Sequence, residues 1–343
     1  HASWRLGMTL DRRTLLKASA AAAAGTGMMV DVAEAQGRTV INLQLGWITG
    51  GNQIGEVCAK QMGYYEAEGL DLRIQPGGPN IDGVAVVAAG RFEIGQVSSS
   101  PSLMLASSQD IPVRCFAAGA QVHPFSYISR ARNPVRQPRD LIGKKIGTQS
   151  TAVILLRALL AKNNIAERDV TIIPIGSDMG PLMTGQVDVI TGWLTNTTAL
   201  RVVQDPVVMR LWDTGVRLYA LPYYATAQTL ERRPDMLARF LRASGRGWAY
   251  AHANRAAAVD LLLKEFPNLN RADELAALEV MLAYAFGPKT ATEGWGTMDP
   301  DVWREQIDLY AQLGQFSRRT PRLEEVMTME ILRLTNGNRP LIG

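Results

Sequence analysis

From Arg38 onward, short apolar runs of strand length alternate with stretches whose apolar residues recur at helical spacing. Val40–Leu45, Leu70–Ile74, Phe92–Val97, Ile111–Ala118 and Phe125–Ser129 read as strands. Gln53–Tyr64 and Ile81–Ala89 read as helices, the second stopped at Gly90, a common C-terminal signal. Pro76-Gly77-Gly78-Pro79 breaks the chain after the second strand. Ser98-Ser99-Ser100-Pro101 reads as a helix start, with proline where the first turn tolerates it. This alternation predicts βαβ units and a mostly parallel sheet.

A second block of the same kind runs from about Arg132 to Val216. Its strands are Lys144–Gly147, Val170–Ile175 and Val187–Thr191. Gln149-Ser150-Thr151 opens a helix through Ala161, and Trp193–Asn196 leads another to Val203. The blocks share a faint echo: Gly90-Arg91-Phe92-Glu93-Ile94 in the first resembles Gly185-Gln186-Val187-Asp188-Val189 in the second. In each, a helix ends at glycine and a strand follows. After about Tyr219 the chain turns helical, with a 3.6-residue apolar period over Pro234–Ala253, Ala256–Phe266, Ala272–Phe286, Asp301–Leu313 and Leu323–Leu334. The expected organisation is a leader over 1–35, a first lobe over 36–130, a second lobe over 131–216, and a return to the first lobe over 217–343 that ends in packed helices.

Composition narrows the function classes. The 343 residues suffice for two lobes with their own cores, and 47% hydrophobic with 20% charged residues is a globular balance. The net charge of +4 is carried by scattered basic residues without the aromatic-interleaved basic face of a nucleic-acid reader, so no nucleic-acid partner is expected. Cys58 and Cys115 lie in apolar runs and read as small core residues, although an oxidising compartment would permit a disulfide. No pair of cysteines or histidines has metal-ligand spacing, and neither a metal nor a cofactor is expected.

The N-terminal segment carries an address. Arg12-Arg13 precedes Leu15-Leu16, a short alanine-rich stretch and a small-x-small site at Ala33-Glu34-Ala35. This is the pattern of a twin-arginine export signal, too short in its apolar part to span a bilayer. A mature protein beginning near Gln36 and residing in the periplasm is the expectation.

Several segments together resemble the NMT1/THI5-like periplasmic solute-binding proteins. In the first lobe they are Leu45-Gly46-Trp47, Met62-Gly63-Tyr64-Tyr65-Glu66-Ala67-Glu68-Gly69-Leu70-Asp71-Leu72 and Val87-Ala88-Ala89-Gly90-Arg91-Phe92-Glu93-Ile94-Gly95. In the second they are Pro138-Arg139-Asp140-Leu141-Ile142-Gly143-Lys144-Lys145-Ile146-Gly147 and Gly185-Gln186-Val187-Asp188. In the tail they are Arg239-Phe240-Leu241-Arg242-Ala243, Gly247-Trp248 and Met298-Asp299-Pro300-Asp301-Val302-Trp303. The resemblance implies a two-lobed α/β fold, of the type II kind, with helices on both faces of each sheet. It also implies a cleft that closes on a small-molecule solute, an inner-membrane ABC permease as partner, and a monomer.

Strand tips select the cleft residues, because open α/β sheets bind ligands beyond the carboxyl ends of their strands. Trp47 follows the first strand, with Thr49 just after. In the pyrimidine-binding relatives a tryptophan at this position stacks on a flat ring; a core role is the alternative. Trp193 sits at the matching edge of the second lobe, and Tyr224 follows the return strand. Ser98 and Ser99, and Gln149, Ser150 and Thr151, open helices whose free N–H groups suit acceptor atoms, though the hydroxyls could simply cap. Asn80, Gln121 and Asn196 are neutral hydrogen-bonding candidates. Asp178 is the one acid placed near the cleft, with capping of the next helix slightly preferred.

Departures from the family pattern limit the solute. Pyrimidine receptors carry an Asn-Pro-x-x-His-like stretch where this chain has Thr49-Gly50-Gly51-Asn52-Gln53, and a glutamate where it has Thr197. The loops are also poor in arginine, unlike a sulfonate clamp. The expected solute is planar or heterocyclic and polar, with a sulfonate-like or nitrate-like anion as the alternative. An enzyme of thiamine-pyrimidine biosynthesis is the alternative of another class. No nucleophile, base and orienter are visible together, and His123 reads as structural.

Overall fold

The computed structural model describes residues 37–343 apart from residue 79. The export signal read at Arg12-Arg13 and Ala33-Glu34-Ala35 lies outside the described residues. Ten strands form two sheets of five. The first contains β1 (Thr39–Leu45), β2 (Leu70–Gln75), β3 (Ile94–Gln96), β4 (Val113–Ala120) and β10 (Ala220–Thr226), in the order β2-β1-β3-β10-β4. The second contains β5 (Phe125–Arg130), β6 (Lys145–Thr148), β7 (Thr171–Pro174), β8 (Val189–Trp193) and β9 (Pro206–Arg210), in the order β7-β6-β8-β5-β9.

The two orders are one pattern used twice. In each sheet the block's first strand lies between the second and third, as the βαβ reading predicts. In the second sheet β6 pairs in parallel with both β7 and β8. The strand that arrives from the other lobe then joins antiparallel: β10 against β3 and β4, and β5 against β8 and β9. Phe125–Arg130 therefore belongs to the second sheet, and the chain crosses over Gln121–Pro124 rather than near residue 130. Sequence pattern marks a strand but not its sheet, because pairing is non-local.

The five-residue echo has a structural meaning. Gly90 and Gly185 both take positive φ, 79° and 78°, which a side chain would strain. The acid three residues on does the same work in both lobes. Glu93 accepts a hydrogen bond from the Asn42 N–H at 2.6 Å, and Asp188 accepts one from the Lys145 N–H at 2.9 Å. Each carboxylate thus ties the approach to the third strand of its block onto the first strand, β1 or β6.

The helical tail packs on the first sheet, as expected. Pro234–Ala253, Arg271–Ala285 and Pro300–Gln312 contribute Phe240, Trp248, Leu282 and Trp303 to the same core as Ile41, Leu43 and Phe116. Leu323–Leu334, read as one helix, is broken into Leu323–Val326 and Glu330–Leu334. The helix Ile54–Gln61 meets Pro234–Ala253 at unusually short range, because a Cβ at Gly247 would overlap the carbonyl oxygen of Gly55. Cys58 and Cys115 are buried free thiols. The second sheet has two smaller cores, around Leu156, Leu159 and Val189 and around Ile128, Met179 and Ile190.

Candidate functional site

Both sheets send their carboxyl-end loops to one set of adjoining hollows. The first, about 380 Å³, is lined from one lobe by Trp47, Ser98 and Ser99 and from the other by Gln149, Thr151 and Trp193. The second, about 350 Å³, shares Trp47 and Asn52 with it and continues along Thr49–Ile54 to Asn196 and the helix Arg271–Ala285. The third, about 220 Å³, lies behind Gln149 and Trp193. Shared walls make the three one continuous cleft.

A buried histidine sits at the lobe crossing. His123 is buried, and its Nδ1 accepts the Phe125 N–H at 3.1 Å. Nδ1 is therefore the unprotonated nitrogen, and Nε2 carries the hydrogen, which it gives to Ser99 Oγ at 2.6 Å. Burial pushes the imidazole pKa from 6.5 down to about 3, so the ring stays neutral. With its acceptor role filled by the imidazole, the Ser99 hydroxyl keeps its own hydrogen for a bound acceptor atom. Trp193 stands edge-on to this ring, with centroids 4.9 Å apart. Trp47 opposes it from the first lobe and is 53% exposed, an unusual state for a large apolar side chain.

Hydrogen bonds fix the polar walls. Gln149 donates through Nε2 to the Gly176 carbonyl at 2.8 Å, and its Oε1 lies 3.2 Å from Thr191 Oγ1. Gln53 accepts the Gly50 N–H and donates to Gln96 Oε1, which holds the loop after Trp47 against the sheet. One helical turn on, the fully buried Glu56 accepts from Tyr223 Oη, and burial pushes its pKa up to about 8. This acid is a neutral member of the first core and does not line the cleft.

The strand-tip rule brought together Trp47, Thr49, Ser98, Ser99, Gln149, Thr151, Trp193 and Asn196, all of which line the hollows. Five other candidates lie elsewhere. Tyr224 is buried within the first sheet, against Gly95, because the bulge at Tyr223/Tyr224 keeps both rings in the core. Gln121 is buried and donates to the Thr297 carbonyl at 2.9 Å, bracing the crossing against the tail. Asp178 accepts the Gly180 N–H at 2.8 Å, which is the capping alternative. Asn80 and Ser150 are exposed and line none of the hollows. Ser100 does not cap its helix; it donates to Gln306 Oε1 and accepts the Tyr219 N–H. The cleft also holds groups not picked as candidates, among them His123, Asn52 and Glu274. The run Gly50-Gly51-Asn52 after a strand-end tryptophan was a usable signal for Asn52. Glu274 had none, since its helix reads only as packing.

Among the described residues no group of three or more His, Cys, Asp or Glu side chains could hold a metal ion. No described helix is long and apolar enough to cross a membrane.

Two sheets of matching strand order, joined by crossings and facing a shared cleft, define the periplasmic binding protein fold. The NMT1/THI5-like family model matches residues 51–258, and the chain belongs to that family. It is 27% identical over 271 residues to the riboflavin-binding protein RibY of Chloroflexus aurantiacus, covering 76% of each chain. It is 24% identical to the formylaminopyrimidine-binding protein of Halalkalibacterium halodurans, over 78% of this chain and 83% of that one. A more partial match, 27% identical over 54% of this chain and 58% of the other, is an enzyme: the 4-amino-5-hydroxymethyl-2-methylpyrimidine phosphate synthase of Schizosaccharomyces pombe. Among solved structures, the alkanesulfonate-binding protein SsuA of Xanthomonas axonopodis pv. citri, bound to MOPS, superposes with a TM-score of 0.58 at 18% identity, over 85% of this chain and 99% of that one.

Proposed function

We propose that this chain is the extracytoplasmic receptor of an ABC importer, and that it captures a planar heteroaromatic solute between Trp47 and Trp193 and delivers it to an inner-membrane permease. The observation that carries this reading is the chemistry of the cleft wall. Two tryptophans from opposite lobes, a serine hydroxyl with a free hydrogen, and several amides line it, and no lysine or arginine does among the described residues. Ring faces and fixed neutral donors suit a flat heterocycle. A sulfonate or nitrate would meet no cation there, which disfavours the anion alternative. Closure of the lobes by a hinge at the two crossings would bring the tryptophans onto opposite faces of the ring. Two of the relatives are named for riboflavin and formylaminopyrimidine, both built on flat nitrogen heterocycles.

The Ser99–His123 pair speaks against an enzyme, although its 2.6 Å contact looks like a nucleophile beside a base. A base must present an unprotonated nitrogen to the hydroxyl. Here that nitrogen faces the Phe125 N–H instead, and the ring resists protonation. Both cysteine thiols are buried, and burial pushes both pKa values up. Fluorescence and calorimetric titration with riboflavin, aminopyrimidines and an alkanesulfonate tests the proposal. Saturable binding of a heteroaromatic with no turnover is the expected result. Tighter binding of the sulfonate, or product formation by the pure protein, would overturn it.

A further inference from the structure

We infer that Glu274 is the residue that selects among flat rings, by accepting a hydrogen bond from an amino or protonated ring nitrogen of the solute. This rests on the heteroaromatic reading above and names the subclass of ring. Glu274 is the one carboxylate among the described residues lining the hollows. It lies in the first turn of Arg271–Ala285, where a negative charge is favoured by the helix dipole. That effect does not explain its direction, because its neighbour is used differently. Asp273 turns to Arg201 of the second lobe in an ion pair of 2.7 Å, whereas the Glu274 carboxylate has no hydrogen-bond or ion-pair partner among the described residues. Its carboxylate is half-buried, and desolvation followed by repulsion from Asp273 raises its pKa.

The loop opposite is shaped to admit it. Glu274 Oε2 lies where a Cβ at Gly51 would overlap it, so a glycine at this position allows the carboxylate onto the backbone between Trp47 and Asn52. The wall therefore offers complementary groups at two ends. Ser99 presents a hydroxyl donor in one hollow, and Glu274 presents an acceptor with charge in the next, with Trp47 shared by both. A ring carrying an acceptor at one edge and an N–H donor at the other matches that arrangement. A half-buried, unpartnered acid is a cost in the free protein that a donor in the complex would remove.

Matched pairs of probes separate this from the ring reading itself. Wild type and Glu274→Gln would be titrated with 4-amino-2-methylpyrimidine and with 2,4-dimethylpyrimidine, which keeps the ring and loses the N–H donor, and both proteins melted without ligand. The expected result is tighter binding of the amino compound by wild type and a loss of about 10-fold or more in Glu274→Gln. The dimethyl compound should bind the two proteins alike, and the melting temperature should be unchanged or higher in the variant. Equal affinity of wild type for both probes, an amino-compound affinity unmoved by the substitution, or a lowered melting temperature with both affinities lost together would overturn the assignment and leave the receptor reading intact. Binding of an alkanesulfonate with neither pyrimidine nor riboflavin bound would overturn both.

Discussion

His123→Gln should change how stability depends on pH. In the folded protein the imidazole is locked neutral between the Phe125 N–H and Ser99 Oγ, and burial lowers its pKa from 6.5 to about 3. Between those values the unfolded chain binds a proton that the folded chain does not. The stability contributed by the neutral ring is therefore full above pH 6.5 and is lost as pH falls toward 3. Each unit below 6.5 costs about 1.4 kcal/mol, so moving from pH 7.5 to 4.5 should cost wild type roughly 3 kcal/mol through this group alone. Glutamine keeps a donor and an acceptor but does not titrate. Urea unfolding of both proteins at pH 7.5, 6.0 and 4.5 measures the gap between them, and every other titration cancels. The variant should be clearly less stable at pH 7.5, with a gap that narrows by about 2–3 kcal/mol at pH 4.5. A gap independent of pH would refute the neutral, locked imidazole and with it the free hydrogen on Ser99.

Three further outcomes follow from the same geometry. Glu56, with its pKa pushed from 4.5 up to about 8, contributes stability in its protonated form that is full below pH 4.5 and is lost progressively as pH rises to about 8, so Glu56→Gln should gain on wild type in thermal melts between pH 5 and pH 8. Gly247→Val should destabilise by about 3 kcal/mol or more, since any Cβ there meets the Gly55 carbonyl, and an unchanged melting temperature would mean the two helices are further apart than described. Trp47→Ala should weaken binding of a heteroaromatic probe by about 10-fold or more while hardly moving the melting temperature, because the ring is exposed in the free protein.

Much of the fold was legible because it rests on local periodicity. Pro234–Ala253 was readable to the residue, and the first-block strands fall within two or three residues of their sequence positions. The sheet to which a strand belongs was not legible. Phe125–Arg130 looks like any apolar strand, and only its pairing with Val189–Trp193 and Pro206–Arg210 assigns it to the second lobe. Pro206–Arg210 itself went unread, since an edge strand with alternate residues exposed and a leading proline gives a weak signal. The site divided along the same line. Residues directly after strands β1, β3, β6 and β8 reached the cleft by topology alone. Tyr224 failed because a bulge, invisible in sequence, sets which way it points. Glu274 was hidden because a tail helix that reads as packing also supplies one wall.

The central claim is that a ring enters between Trp47 and Trp193. Of the described tryptophans, Trp248, Trp295 and Trp303 are fully buried in the first core and Trp212 packs beside Tyr219 outside the hollows, which leaves Trp47 and Trp193 as the cleft pair. Fluorine NMR of protein labelled with 5-fluorotryptophan, assigned by single substitutions, reports on each indole separately. On saturation with a heteroaromatic ligand, the Trp47 and Trp193 resonances should both shift upfield through stacking, while those of Trp248, Trp295 and Trp303 stay in place. Binding that leaves both cleft resonances unmoved would contradict the account.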